Sequence, residues 1–177
     1  MTLFASRGYD AVGIQEIVDN AGVTKPVLYH YFNSKHGLLE AALATNFEQF
    51  MIDLRQTAVY RGDITLSLQT ICRLFFDFAR KNPTAFRTRL ALYFAPPQSE
   101  SHQAVARYNE QQTRIIEEMF LAAVNDHGNM RGRQRMYAAT FLGMIHTYVG
   151  LFLNGYTDLE DPLVYRAVHQ FMHGIFS

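Results

Sequence analysis

Residues 13–35 read GIQEIVDNAGVTKPVLYHYFNSK, and this stretch decides the fold. Ile14, Ile17 and Val18 recur at helical spacing before Ala21-Gly22-Val23, and Leu28 and Phe32 recur at i, i+4 after it. Gly22 supplies the positive backbone angle that a tight turn between crossing helices requires. Thr24 stands where the second helix needs an N-cap. Because Pro26 has no N–H, the Thr24 hydroxyl is predicted to accept from the Val27 amide. Two short helices about a glycine turn form a helix-turn-helix, whose second helix offers its N-terminal residues to a DNA major groove.

Helical punctuation continues outward from this core. Upstream, a short stub ends at Gly8; downstream, Ser34 is predicted to cap a helix reaching about Ala58 and Asp63 one reaching Lys81. Asn82-Pro83 starts another, which must stop near Ala95 because Pro96-Pro97 cannot continue it. Ser99 or Ser101 opens a long helix to about His127, closed by Gly128, with Val105, Tyr108, Gln112, Ile115, Met119 and Ala123 on one stripe. A helix from about Arg133 to Asn154 stops at Gly155, and Asp161-Pro162 begins a last one reaching about Ile175. Sustained period-2 alternation and Asn-Gly or Asp-Gly hairpin turns are missing, so the expected class is all-α.

Composition narrows the function. Of 177 residues, 49% are hydrophobic and 14% aromatic, while 18% are charged against an average of about 25%, which excludes a disordered chain. Sixteen basic and sixteen acidic residues cancel, so nucleic-acid binding has to come from a local patch with defined geometry. The single cysteine, Cys72, excludes an internal disulfide and a multi-cysteine zinc site, which fits a reducing compartment. The N-terminus lacks the basic start and long apolar run of a secretory signal. Residues 136–153 carry no formal charge and reach the lower length limit of a membrane span. Thr140, His146 and Thr147 within the segment, and the lack of a partner span, favour a helix buried on two sides; no membrane is expected.

The run Gly8-Tyr9-Asp10-Ala11, then residues 17–35 with Leu28-Tyr29-His30-Tyr31-Phe32-Asn33-Ser34-Lys35 at their end, resembles the DNA-binding domain of TetR/AcrR-type transcriptional regulators. The resemblance covers roughly the first 45 to 50 residues. It implies a three-helix helix-turn-helix domain at residues 1–45 and a larger C-terminal helical bundle at 46–177 for ligand binding and dimerisation. The implied function is that of a ligand-responsive, cytoplasmic transcriptional repressor, a homodimer on a palindromic operator of double-stranded DNA, released by a small apolar effector. No catalysis and no cofactor are implied.

Carried to this sequence, the DNA-contacting residues are Gln15, Thr24, Lys25, Pro26, Val27, Tyr29, His30 and Lys35. Lys25 can donate to guanine or phosphate, and Val27 can touch a thymine methyl. Tyr29, His30 and Lys35 are expected at phosphates. Tyr31 stays open between packing and DNA contact. Phe75, Phe78, Phe86, Arg89, Tyr93, Tyr108, Gln112, Phe141, Met144 and His146 are the expected effector pocket, although an aromatic stripe at helical spacing is most often plain core. Ala139, Gly143, Thr147 and Gly150 form a small-residue stripe that lets a second chain approach; Val164, Val168, Phe171, Met172 and Ile175 complete the expected dimer face.

The sequence departs from the family pattern in three places. Its opening helix is short, Val12-Gly13 replaces a hydroxyl cap, and Gly37 stands where an acidic residue would complete a capping box. Residues 1–40 carry three basic and four acidic side chains, a net of −1. The expectation drawn from this is that the natural start lies upstream. The alternative is a dimeric small-molecule-binding protein of the same fold, with DNA binding impaired by loss of the first helix. An enzyme is the other rival: His169 and His173 lie i, i+4 on one helix, but no HExxH motif, Glu-x-x-His pair, phosphate loop or nucleophile elbow accompanies them.

Overall fold

Helix α1 (Thr2–Arg7) stops at Gly8, whose φ of 81° ends it, and α2 (Ile14–Ala21) and α3 (Lys25–Phe32) follow. The computed structural model describes residues 1–174, so Ile175 lies outside the described residues. Beyond α3 come α4 (Lys35–Thr57), α5 (Ile64–Lys81), α6 (Pro83–Tyr93), α7 (Glu100–Ala123), a 3-10 turn at Gly128–Met130, α8 (Gln134–Leu153) and α9 (Asp161–His173). No strand occurs among the described residues, and the chain is all-α.

Side-chain caps fix the starts of α4, α5 and α7. Ser34 Oγ accepts from the Gly37 amide at 2.9 Å, and the Asp63 carboxylate accepts from the Leu66 amide at 2.9 Å. Ser99 Oγ accepts from the His102 amide at 3.1 Å, which selects Ser99 over Ser101 as the start of α7. Each such bond removes an orphan amide, worth about 1 kcal/mol. Thr24 departs from expectation. It occupies the cap position of α3, but its hydroxyl makes no cap bond; only its carbonyl takes part, accepting from the Leu28 amide at 3.1 Å. Pro26 removes a first-turn donor, so α3 has one amide fewer to satisfy. Helix α7 ends at Ala123, where its stripe ends, rather than at the expected His127. The amides of Asp126 and His127 both turn back to the Ala123 carbonyl before the 3-10 turn begins.

The chain divides into two compact units. One comprises Met1–Gln49 and Thr84–Asn109, the other Phe50–Pro83 and Glu110–Ser177. In the first, Phe4, Val12, Val18, Leu28, Leu39, Leu43, Phe47, Phe86, Leu92 and Val105 are buried, each contributing about 1.5–3 kcal/mol. In the second, α5 packs against α8 and α9. Phe50 sits between Phe75 and Phe78, with ring centroids 4.9 and 4.6 Å away. Phe141 stands 6.4 Å from Phe120 and 5.3 Å from Phe171. All six residues of the predicted α7 stripe, Val105 through Ala123, are buried.

Helix α8 is long and apolar enough to cross a membrane by length and composition. Only 28% of its apolar window is buried within the single chain, so much of its surface lacks cover. That uncovered surface includes Ala139, Thr140, Gly143 and Thr147.

Candidate nucleic-acid interface

The reader is built from two anchors. Val18 on α2 is 2% exposed and Leu28 on α3 is 3% exposed, and the two helices pack on each other. Between them Gly22 adopts φ 65°, ψ 31°, and the Val23 amide donates to the Val18 carbonyl at 3.0 Å. The left-handed glycine closes the turn without the steric cost that a Cβ brings. With Leu28 turned inward, Lys25, Pro26, Val27, Tyr29 and His30 are all exposed. Tyr31 is 72% exposed, with its ring beside those of its neighbours His30 and Phe32, so it is not buried packing. Thr24 and Gln15 are exposed as well, and the Gln15 amide donates to Asp19 at 2.7 Å.

The far end of α3 is held by backbone geometry. Asn33 takes φ 60°, the only positive φ at a non-glycine among the described residues. At Gly37 a Cβ would lie 2.1 Å from the Phe32 carbonyl oxygen, closer than any real contact. The residue read from sequence as a missing capping-box acid is therefore a steric requirement of the α3–α4 corner.

Lys35 has partners inside the chain. Its ammonium donates to the Val12 carbonyl at 2.8 Å and stands 4.1 Å from the centroid of the Tyr9 ring. Tyr9 in turn donates its hydroxyl to Glu100 at 3.0 Å, and burial together with Glu100 raises its pKa above the ordinary phenol value. Arg7 pairs with Glu16, tying α1 to α2. The short α1 is firmly seated: Phe4 is buried with its ring centroid 5.4 Å from that of Tyr9. Sequence reasoning passed over Tyr9 and Glu100, because residues 91 positions apart share no periodicity that would link them.

The expected pocket residues separate into groups. In the first unit, the wholly buried Arg89 donates to Asn109 Oδ1 at 3.0 Å, its guanidinium 5.6 and 5.9 Å from the ring centroids of Phe86 and Phe47. Burial lowers its pKa to about 10. Tyr108 faces Phe47 at 6.1 Å, while Tyr93 is largely exposed. In the second unit, Phe75 stands 6.2 Å from the half-buried His146, and both Phe75 and Phe78 lie against Phe50. Phe141 joins the Phe120 and Phe171 rings, and Gln112 is buried on α7. Met144 lines a groove of about 620 Å³ along α8 and α9, with Thr140, Thr147, Leu151, Gln170 and Phe171.

That groove carries Thr147 and Phe171 of the expected dimer face, and the neighbouring Gly143 and Gly150 have open space where a Cβ would stand. Val164 and Val168 do not belong to such a face. They are 1% and 0% exposed, on the side of α9 turned into the chain's own core, while Tyr165, His169 and Met172 point outward. Their apolar character at helical spacing is core periodicity.

Residues 1–42 match the family model described as "Bacterial regulatory proteins, tetR family". The HTH-type transcriptional activator FasR of Mycolicibacterium smegmatis is 28% identical over 175 residues, 99% of this chain and 78% of that protein. Among solved structures, the fatty acid degradation regulator FadR from Bacillus halodurans superposes with a TM-score of 0.80 at 18% identity, covering 98% of this chain and 94% of that one. FadR from Bacillus subtilis, solved with stearoyl-CoA, superposes with a TM-score of 0.81 at 19% identity, over 98% and 94% of the two chains. These are regulators rather than enzymes, and the two solved structures share the all-helical fold.

Proposed function

The chain is a tetR-family regulator by its first 42 residues, and from that premise we propose that it grips a two-fold operator as a homodimer and releases it on binding an apolar effector. The observation that carries the reading is the surface of α3. Lys25, Pro26, Val27, Tyr29 and His30 are exposed together along a helix anchored by Leu28. An apolar Val27 and two tyrosines on such a surface have a use in touching base edges and sugar-phosphate. Lys35 serves as a positioning residue, holding the α2 entry through the Val12 carbonyl.

The uncovered face of α8, with its small residues and the adjoining groove, fits a second copy of the chain. Two α3 helices related by a two-fold axis read half-sites about 34–36 Å apart, or a multiple of that spacing. The FadR structure with stearoyl-CoA supports a fatty acyl effector, which suits the aromatic surroundings of Phe47, Phe86 and Arg89. Helix α4 runs without interruption from Lys35 to Thr57, so an effector that favours one position of it moves the reader by as much as its differential affinity allows. Repression is the proposed outcome, in a cytoplasmic setting.

Selection of bound sequences from a random DNA pool, followed by release with stearoyl-CoA, tests the proposal. A palindromic sequence freed by the acyl ligand is expected. One observation favours the second reading, a ligand-binding dimer with weak DNA affinity: with Lys35 engaged internally and Arg7 paired, Lys25 is the lysine left on the reader surface. Failure to enrich any sequence at low salt would select that reading.

A further inference from the structure

Helix α9 turns two imidazoles away from the bundle. Leu163, Val164, Ala167 and Val168 are buried on one face, and His169 and His173 are exposed on the face opposite. The helical repeat sets residues four apart above one another, so the two rings stand side by side, with centroids 4.6 Å apart and planes inclined at 41°. A metal bonded to one nitrogen of each ring at about 2.0–2.1 Å holds the two centroids roughly 4.5–5.2 Å apart, from octahedral to tetrahedral bond angles. The observed spacing falls at the octahedral end of that span. The pair lies apart from the α8–α9 groove, whose α9 residues are Gln170 and Phe171.

We propose that His169 and His173 together chelate one divalent transition-metal ion. Ligand chemistry selects the class. Imidazole nitrogen suits nickel, copper and zinc, whereas magnesium and calcium take oxygen. Position favours a cation as well: His173 is the last residue of α9, and the carbonyls of a last helical turn carry partial negative charge. No group of three or more His, Cys, Asp or Glu side chains able to hold a metal occurs among the described residues, so water completes the coordination. Such an open two-ligand site exchanges its ion reversibly, and a bound ion clips the final turn of α9 between the two side chains.

The experiment titrates the full chain, without a histidine tag, with Ni²⁺ in a calorimeter at neutral pH. One ion per chain is expected, Mg²⁺ should give no binding heat, and Cu²⁺ should bind more tightly than Ni²⁺. His169→Ala and His173→Ala should each weaken binding at least about tenfold, the lower end of what losing even a group that only supports a ligand costs. The double variant should lose little more, because chelation needs both rings. His30→Ala, which removes an exposed histidine elsewhere, should bind as the wild type does. Both rings of the pair are exposed, so the variants should keep the wild-type helical circular-dichroism spectrum. The proposal is overturned if either single variant keeps wild-type affinity, or if removing one histidine halves the number of ions bound without changing their affinity.

Discussion

Tyr9 and Glu100 meet at 3.0 Å across 91 positions of sequence, and the same Tyr9 ring carries the Lys35 ammonium on its face. A loop before α2, the start of α4 and the start of α7 are thus joined through one side chain. Tyr9→Phe keeps the ring and the cation contact and removes the bond to Glu100. It should cost about 1 kcal/mol in urea denaturation at neutral pH. Because the folded state raises the Tyr9 pKa, its stabilisation is complete below about pH 10 and is lost as pH rises further. The wild-type and Tyr9→Phe stabilities should therefore converge in that alkaline range.

Gly37→Ala tests the corner between α3 and α4. The added methyl meets the Phe32 carbonyl, a backbone atom that cannot rotate away. A loss of about 3 kcal/mol is expected in thermal or urea unfolding, and operator affinity should fall with it. Gly143→Ala, whose Cβ meets nothing within 4 Å, is the matched control and should leave the chain's fold unchanged.

Lys25 begins α3, where residues of a recognition helix reach base edges. Lys25→Ala should weaken operator binding by about 1–3 kcal/mol and relax the preference at one base pair. Tyr29→Phe should instead weaken binding evenly across operator variants, as the loss of a phosphate contact does. Gel-shift titrations against a set of single-base operator changes separate the two patterns.

Burial pushes the Cys72 thiol up to about 12, well above its ordinary range. At pH 8 the native chain should resist a disulfide-forming reagent and react stoichiometrically in denaturant, since the thiolate is the nucleophile. As a group whose folded pKa is raised, Cys72 contributes stability that is present below about pH 9 and declines from there toward pH 12.

Thr147→Arg places a charge in the groove between α8 and α9 without touching the buried core. Sedimentation velocity should show a dimer for the wild type and a monomer for the variant, with an unchanged helical circular-dichroism spectrum. An unaltered dimer would remove this groove from the interface.

Sequence carried most of the fold because helix punctuation is local. Ser34, Asp63 and Ser99 cap as their spacing requires, and the α7 stripe is buried along its whole length. The reader was legible for the same reason: Gly22, Leu28 and the exposed residues around it lie within a few turns of one another. What stayed hidden depends on distant partners or on which side of a helix faces inward. Lys35 could be seen as a cation but not as one held by Val12 and Tyr9. Val164 and Val168 offered an apolar pattern that fits a core and a subunit contact equally well.

The junction at Asn33 and Gly37 has a mechanical meaning. With Asn33 at positive φ and no room for a Cβ at Gly37, few side chains suit the backbone between α3 and α4. A substitution that loosens this corner is therefore expected to blur the aim of α3 even where both helices stay folded.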